Sequence, residues 1–345
     1  MTKAVEIGGL KIGGGNPVRV ESMLKIPLSD KEKCYEQCAS LAKLGCELVR
    51  AAFPSVTLTE DLAWLAKNSP IPLMADIHFD ASLAVAALEA GVPSIRINPG
   101  NMARGIADVV ACARERRAVI RIGANSGSLN SAQLKRAGGV RSDALAAAAE
   151  EQLKILLDQG FDDVILSAKS TSAPETVRAN SLLALKYPDL PFHIGITESG
   201  FGRDGLIKSA SGLALLLAQG IGDTIRISLS EAPEEEVRAG YSLLKALELR
   251  HRGGALISCP TCGRKRIDVM GLAALVSPHL EDLPDGMTVA VMGCEVNGPG
   301  EARDADFGIA GSRGGAVIFR KGRVLREVPL ERAAEFLLQA AQEDF

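Results

Sequence analysis

The chain has 345 residues, enough for one large domain and a smaller one, and its 39 Lys and Arg against 42 Asp and Glu leave a net charge of −3. That balance excludes a global basic field for nucleic acid. Seven cysteines form no regular framework, no apolar run approaches a membrane span and the N-terminus carries no apolar signal core, so a soluble cytoplasmic protein is expected.

Short β-branched runs alternate with longer amphipathic stretches along most of the chain. Strands are expected at Val18–Ser22, Leu48–Ala51, Pro72–Ile77 and Ser94–Asn98, then at Val119–Ile122, Val164–Ser167, Phe192–Ile196 and Thr224–Ser228. Helical patterns lie between them, at Lys31–Leu44, Ala81–Ala90, Ala144–Leu157, Leu206–Ala218 and Glu234–Leu247. Gly45, Gly91, Gly160 and Gly220 stand just past helix ends, where a left-handed residue closes the last turn. Eight strand–helix units over roughly 250 residues is the count of a closed (β/α)8 TIM-type barrel. An open doubly wound sheet would carry a glycine-rich fingerprint after its first strand. Here Gly13-Gly14-Gly15 precedes the strand and reads as a turn.

The composition changes near Arg252-Gly253-Gly254. This predicts a barrel over 1–252 and a small α+β domain over 253–345, with a helix over Val269–Leu280 and strands at Thr288–Met292 and Ala316–Phe319.

Polar groups cluster at the C-terminal ends of the predicted strands, where a barrel carries its chemistry. Arg50, Arg96, Arg121 and Arg226 fall on strands two, four, five and eight, and Lys169 follows strand six. Asp76, His78, Asn98, Asn125, Glu198 and Ser228 are their neighbours. Arg forks match phosphate oxygens and Lys adds a point charge, so five such cations at one mouth predict an anionic substrate, most simply a diphosphate. Asp76 and Glu198 are expected there as hydroxyl acceptors or proton donors. His78 is read as a site or capping residue, His193 as a satisfied core residue, and Glu234-Glu235-Glu236 as a solvated helix start. Cys34, Cys38, Cys46 and Cys112 read as small buried hydrophobes.

Three further cysteines differ. Cys259 and Cys262 form a Cys-x-x-Cys turn, and Cys294 opens Gly-Cys-Glu-Val-Asn-Gly-Pro-Gly-Glu. Structural zinc takes four Cys or His, and iron–sulfur clusters usually take four Cys, so three thiolates leave one position for another donor. Glu301 ends the same loop and is a candidate; His279 would complete a zinc site. The residues thus also admit a redox-neutral barrel enzyme on a phosphorylated substrate with a structural zinc.

Taken together, Asp76-Ile77-His78-Phe79-Asp80, Arg96-Ile97-Asn98-Pro99-Gly100-Asn101, Gly195-Ile196-Thr197-Glu198, Gly220-Ile221-Gly222-Asp223-Thr224, Cys259-Pro260-Thr261-Cys262 and Val296-Asn297-Gly298-Pro299-Gly300-Glu301 resemble the bacterial hydroxymethylbutenyl diphosphate synthase family of the non-mevalonate isoprenoid pathway. The resemblance covers nearly the whole chain. It implies a barrel followed by a domain whose [4Fe–4S] cluster is held by Cys259, Cys262, Cys294 and an exchangeable Glu301. It implies reductive ring opening of methylerythritol cyclodiphosphate, with Arg50, Arg96, Arg121, Lys169 and Arg226 on the diphosphate and His78, Asn98, Asn125 and Ser228 beside them. Asp76 and Glu198 would face the hydroxyl-bearing carbons, with Glu198 as proton donor. Flavodoxin or ferredoxin as electron donor and a head-to-tail homodimer are further implications. Two runs depart from the family pattern: Glu21-Ser22-Met23-Leu24-Lys25-Ile26-Pro27 is apolar where the family places hydroxyls, and Ala51-Ala52-Phe53-Pro54 follows Arg50 with less polarity than expected.

Overall fold

Val5–Ile7 (β1) and Leu10–Ile12 (β2) pair as an antiparallel hairpin, an element the sequence reading leaves out. Its turn is Gly8-Gly9, with φ of 55° and 87°. Two consecutive positive φ values define the turn whose twist suits a hairpin, and glycine reaches them without a Cβ clash. The computed structural model describes residues 1–78, 80–98, 102, 104–294 and 302–342. It divides into two compact units, Met1–Leu249 and Arg250–Phe345.

In the first unit, eight parallel strands follow the hairpin in chain order: β3 (Arg19–Met23), β4 (Leu48–Ala52), β5 (Leu73–Asp76), β6 (Ser94–Ile97), β7 (Val119–Asn125), β8 (Val164–Lys169), β9 (His193–Ile194) and β10 (Thr224–Ile225). Each pairs with its sequence neighbour, except that β8 and β9 meet only through a parallel bridge between Leu166 and Phe192. Since β10 also pairs with β3, the ring closes. This is a TIM-type barrel. The connecting helices are α1 (Lys31–Lys43), α2 (Thr59–Asn68), α3 (Ala81–Glu89), α4 (Ile106–Glu115), α5 (Ser131–Arg136), α6 (Arg141–Leu157), α7 (Ala173–Lys186), α8 (Gly202–Leu217) and α9 (Pro233–Ala246). Asp30, Asp80 and Ser172 cap α1, α3 and α7 through their side chains, and Gly45, Gly91, Gly160 and Gly220 take φ between 68° and 91° just past helix ends. Strands β9 and β10 are shorter than the sequence pattern predicts. Arg226 still donates to Ile194 O, but beyond it Thr197 and Ser199 donate to Ser170 and Ser228 in loops, so the ladder stops.

The period-two alternation of strands decides what fills the ring. Leu48, Met74, Val119 and Ile165 point inward and pack against Val5, Ile7 and Ile12 of the hairpin, plugging one end with apolar side chains. On the same faces, two or four residues further along, stand Arg50, Asp76, Arg121, Ser167 and Lys169. The intervening residues, among them Val49, Leu73, Ala75, Ile95, Ile97, Ile120, Ile122 and Leu166, face the helices in the main core. Cys34, Cys38 and Cys46 lie in that core, and burial pushes their thiols up to about 11, 11 and 12.

The second unit has its own core around a five-stranded sheet ordered β11 (Ala255–Ser258), β12 (Thr288–Met292), β13 (Phe307–Gly311), β14 (Ala316–Arg320) and β15 (Arg323–Val328). The first three run parallel and the last two antiparallel. Two helices, α10 (Val269–Val276) and α11 (Ala333–Gln342), pack on it. The α-helix stops short of the predicted Leu280, and 277–282 continue as a 3-10 helix. Pro278 has no N–H to donate, and its ring disfavours a further α turn.

Candidate active site

The inward-facing residues at the C-terminal ends of the barrel strands enclose a cavity of about 280 Å³. Register places them: Asp76 lies beside Arg96 and Arg96 beside Arg121, while Met23 lies beside Arg50 and Asn125 beside Lys169. Arg50, Arg96, Arg121, Lys169 and Arg226 all line the cavity, together with Asp76, His78, Asn125 and Ser228. Ser167, Thr197 and Met23, which the sequence reading passes over, line it too.

Each cation is held from behind. Arg50 Nε is 3.5 Å from Asp76 Oδ2, and Arg96 Nη1 is 3.3 Å from Asp76 Oδ1 and 3.2 Å from His78 Nδ1. Arg96 Nη2 donates to Gly123 O at 3.2 Å. Arg121 is only 1% exposed and donates to Glu21, a buried carboxylate on β3. Lys169 Nζ lies 2.7 Å from His193 Nε2. Arg226 is paired with Glu236 at 3.4 Å. Glu236 is buried on α9 and also accepts from Ser22 Oγ and the Leu229 N–H, so the expectation of a solvated Glu234-Glu235-Glu236 face fails at its third residue. The helix turns that position towards the barrel, where Arg226 supplies the compensating charge.

Two glycines make the room. A Cβ on Gly123 would stand 2.3 Å from Arg96 Nε, and one on Gly195 would stand 2.8 Å from Arg226 O and 3.2 Å from Lys169 Nζ. Any side chain at either place would displace the cations.

Crowded charge shapes the titration of the site. Burial lowers Arg96 and Arg226, brings Arg121 down to about 10 against the pull of Glu21, and holds Lys169 well below its ordinary value, with Arg121 and Arg50 acting in the same direction. Burial alone would raise Asp76, but Arg50, His78 and Arg96 reverse it and hold the carboxyl well below the usual range. Asp76 is therefore an ionised acceptor. Two buried donors, Arg50 Nε and Arg121 Nη2, have no hydrogen-bond partner among the described residues. Unsatisfied buried donors in a cluster of cations are what an anion would complete.

Glu198 follows Thr197 at the lip of the cavity but is exposed and does not line it. Its φ is 49°, a left-handed conformation costing about 1–2 kcal/mol for a non-glycine residue. The bonds of Thr197 N to Ser170 O and Ser199 N to Ser228 O fix it there. Asn98 is buried with its Oδ1 unpartnered, and lines a separate cavity beside α5 and α6. The loop after β3 is less apolar in effect than its sequence: Lys25 Nζ reaches Leu229 O at 3.1 Å and Glu236 at 3.3 Å.

In the second unit the cysteines share one sheet edge. Cys259 follows β11 and its N–H donates to Val291 O at 3.0 Å, and Cys294 stands two residues beyond the adjacent parallel strand β12. Arg266 N donates to Gly293 O at 2.8 Å, lacing the Cys-x-x-Cys turn to the start of the Cys294 loop. All three thiols are free; Cys294 is buried, Cys259 half-buried and Cys262 exposed. Among the described residues no three candidate donors already stand together as a metal cage, and Glu301, with 295–300, lies outside those residues. Three free thiols at neighbouring strand ends are a donor set that fits an iron–sulfur cluster.

Comparison with known proteins decides the family. The model described as "GcpE TIM-barrel domain" matches residues 2–241, and the "GcpE protein C-terminal domain" matches 255–343. The chain belongs to the GcpE family. It is 46% identical over 339 residues to the 4-hydroxy-3-methylbut-2-en-1-yl diphosphate synthase (flavodoxin) of Geobacter sulfurreducens, covering 98% of this chain and 96% of that relative. The protein of the same name from Nitratidesulfovibrio vulgaris is 48% identical over 333 residues, 95% of this chain and 85% of the relative. Among solved structures, the Yersinia pestis dihydropteroate synthase superposes with a TM-score of 0.51 at 13% identity, covering 72% of this chain and 100% of that one. A type I 3-dehydroquinate dehydratase from Clostridium difficile gives 0.51 at 14%, covering 72% and 98%. These two likenesses show the barrel fold alone. Beneath the lining residues, Glu21, His193 and Thr224 support the cations, and the sequence reading singles out neither Glu21 nor Thr224 and takes His193 for a core residue. The signal for Glu21 and Ser167 is parity: Glu21 stands two positions from Met23 on β3 and Ser167 two from Lys169 on β8.

Proposed function

We propose that this chain is a 4-hydroxy-3-methylbut-2-en-1-yl diphosphate synthase. It opens the ring of 2-C-methyl-D-erythritol 2,4-cyclodiphosphate with two electrons and loss of water, giving 4-hydroxy-3-methylbut-2-enyl diphosphate. Near-full-length identity to relatives of that name is the observation that carries this reading. The cationic barrel mouth supports it, because the five cations lining it have three carboxylates beside them, Asp76, Glu21 and Glu236, and a cyclic diphosphate supplies the further negative charge.

In this reading the five cations bind the diphosphate, and Asn125 and Ser228 orient it through hydrogen bonds. Asp76, kept ionised by Arg50, His78 and Arg96, accepts a hydrogen bond from a substrate hydroxyl. Glu198, on its fixed turn at the lip, delivers a proton to the departing hydroxyl. Cys259, Cys262, Cys294 and Glu301 would hold a [4Fe–4S] cluster. When bound, that cluster supplies electrons singly and Lewis acidity towards a substrate oxygen. Flavodoxin, which the relatives' names carry, is the electron donor we favour over ferredoxin. The working form is a head-to-tail homodimer, and an active monomer at assay concentration would count against it. Seven free cysteines suit a reducing cytoplasm, and no helix among the described residues is long and apolar enough to cross a membrane.

The test is anaerobic purification with iron, sulfide and zinc analysis, followed by substrate-dependent oxidation of dithionite-reduced protein. Iron and sulfide in the ratio of a [4Fe–4S] cluster, with turnover of the cyclodiphosphate, are expected. Zinc without iron would overturn the reading in favour of a redox-neutral barrel enzyme.

A further inference from the structure

We propose that His193 is a positioning residue for the diphosphate site, fixing the direction in which Lys169 presents its ammonium to the substrate; this rests on the function proposed above. His193 is wholly buried on β9, beneath the cavity, and does not line it. Its two ring nitrogens have different partners. Nε2 lies 2.7 Å from Lys169 Nζ, and Nδ1 lies 2.8 Å from Thr224 Oγ1 with Glu21 Oε2 3.6 Å away.

The inventory of donors and acceptors then fixes the tautomer. With the anion bound, Lys169 is an ammonium, which has three donors and no acceptor, so Nε2 then accepts from it and the ring proton sits on Nδ1. There it faces a hydroxyl and a buried carboxylate, the arrangement that favours it. One of the three ammonium protons is thereby taken from below, and the other two are left for the cavity. Gly195 clears the space: a Cβ there would stand 3.2 Å from Nζ. The same Glu21 oxygen holds Arg121. Glu21 thus places Arg121 directly, while Thr224 holds the imidazole that aims Lys169, with the Glu21 charge beside it.

Two neighbouring substitutions separate this role from simple packing. Gln at 193 places its amide oxygen near the former Nε2, whereas Asn reaches only the former Nδ1. With the iron-loaded enzyme, His193→Asn should raise KM for the cyclodiphosphate about tenfold or more, as for loss of a hydrogen bond to a charged group. His193→Gln should stay within about threefold of the native enzyme. In a Lys169→Met background, His193→Asn should add little, because its partner is already gone. Equal KM effects of Asn and Gln, or an undiminished Asn effect in the Lys169→Met background, would overturn the proposal. A measurement without substitutions stands beside these. Long-range proton–nitrogen NMR of the oxidised native protein with bound cyclodiphosphate should show His193 neutral and protonated on Nδ1; protonation on Nε2 would overturn it. Failure of the native enzyme to turn over the cyclodiphosphate would instead remove the functional reading on which the kinetic test rests, while the tautomer would remain measurable with bound inorganic pyrophosphate.

Discussion

Lys169 is the residue whose charge depends most on what fills the barrel mouth. Burial and the flanking Arg121 and Arg50 hold it well below the ordinary lysine value. A bound anion reverses the second cause, so its pKa rises on binding. Between the free and bound values, binding takes up a proton, and affinity therefore strengthens as pH falls through that window. Calorimetry of the oxidised protein with the cyclodiphosphate, in buffers of different ionisation enthalpy, should report net proton uptake on binding, and Lys169→Met should diminish it. Arg96 is constrained sterically instead. Gly123→Ala would put a methyl group 2.3 Å from its Nε. The guanidinium must then leave its place beside Asp76, and KM should rise about tenfold or more. An unchanged KM would mean that Arg96 does not contact the substrate.

At the scale of elements, α9 is tied to the site by Glu236. This one carboxylate receives Ser22 Oγ, the Leu229 N–H, Arg226 and Lys25, joining the helix to the ends of β3 and β10 across the seam where the ring closes. Removing it leaves Arg226, itself largely buried, without its counter-charge. Glu236→Ala should cost about 3–5 kcal/mol of stability in urea unfolding, with Glu236→Gln costing less because its amide keeps part of the hydrogen bonding. If both substitutions were neutral, the ion pair would not be holding the seam. The glycine hairpin β1–β2 does the corresponding work at the opposite end, by plugging the barrel with Val5, Ile7 and Ile12.

Across the molecule, chemistry is divided between units with separate cores. The cations belong to the barrel and the three thiols to the small sheet. Cys294→Ser should therefore abolish iron loading and turnover while leaving the barrel's unfolding transition where it is. An active Cys294→Ser protein would remove the ligand assignment, and loss of the barrel transition would show that the two units do not fold independently.

The barrel's strand count, its helix ends and its cations were legible in the sequence because each has a local cause. β-branched runs, glycines past helix ends and Arg or Lys at strand ends need no partner to be recognised. The three cysteines stood out for the same reason, by spacing and residue type. Local pattern did not reveal Glu21, His193 or Glu236. Glu21 reads as one acid in an apolar strand, His193 as a core residue, and Glu236 as part of an acidic helix start. Their meaning comes from residues 100 positions from Glu21, 24 from His193 and 10 from Glu236, brought to bonding distance by ring closure and strand parity. Sequence by itself determined which charges this protein carries to the mouth of its barrel. Only the tertiary structure decided which buried groups aim them, because the pairing of ions depends on distance through space and on exclusion of water, and neither is written in the order of the chain.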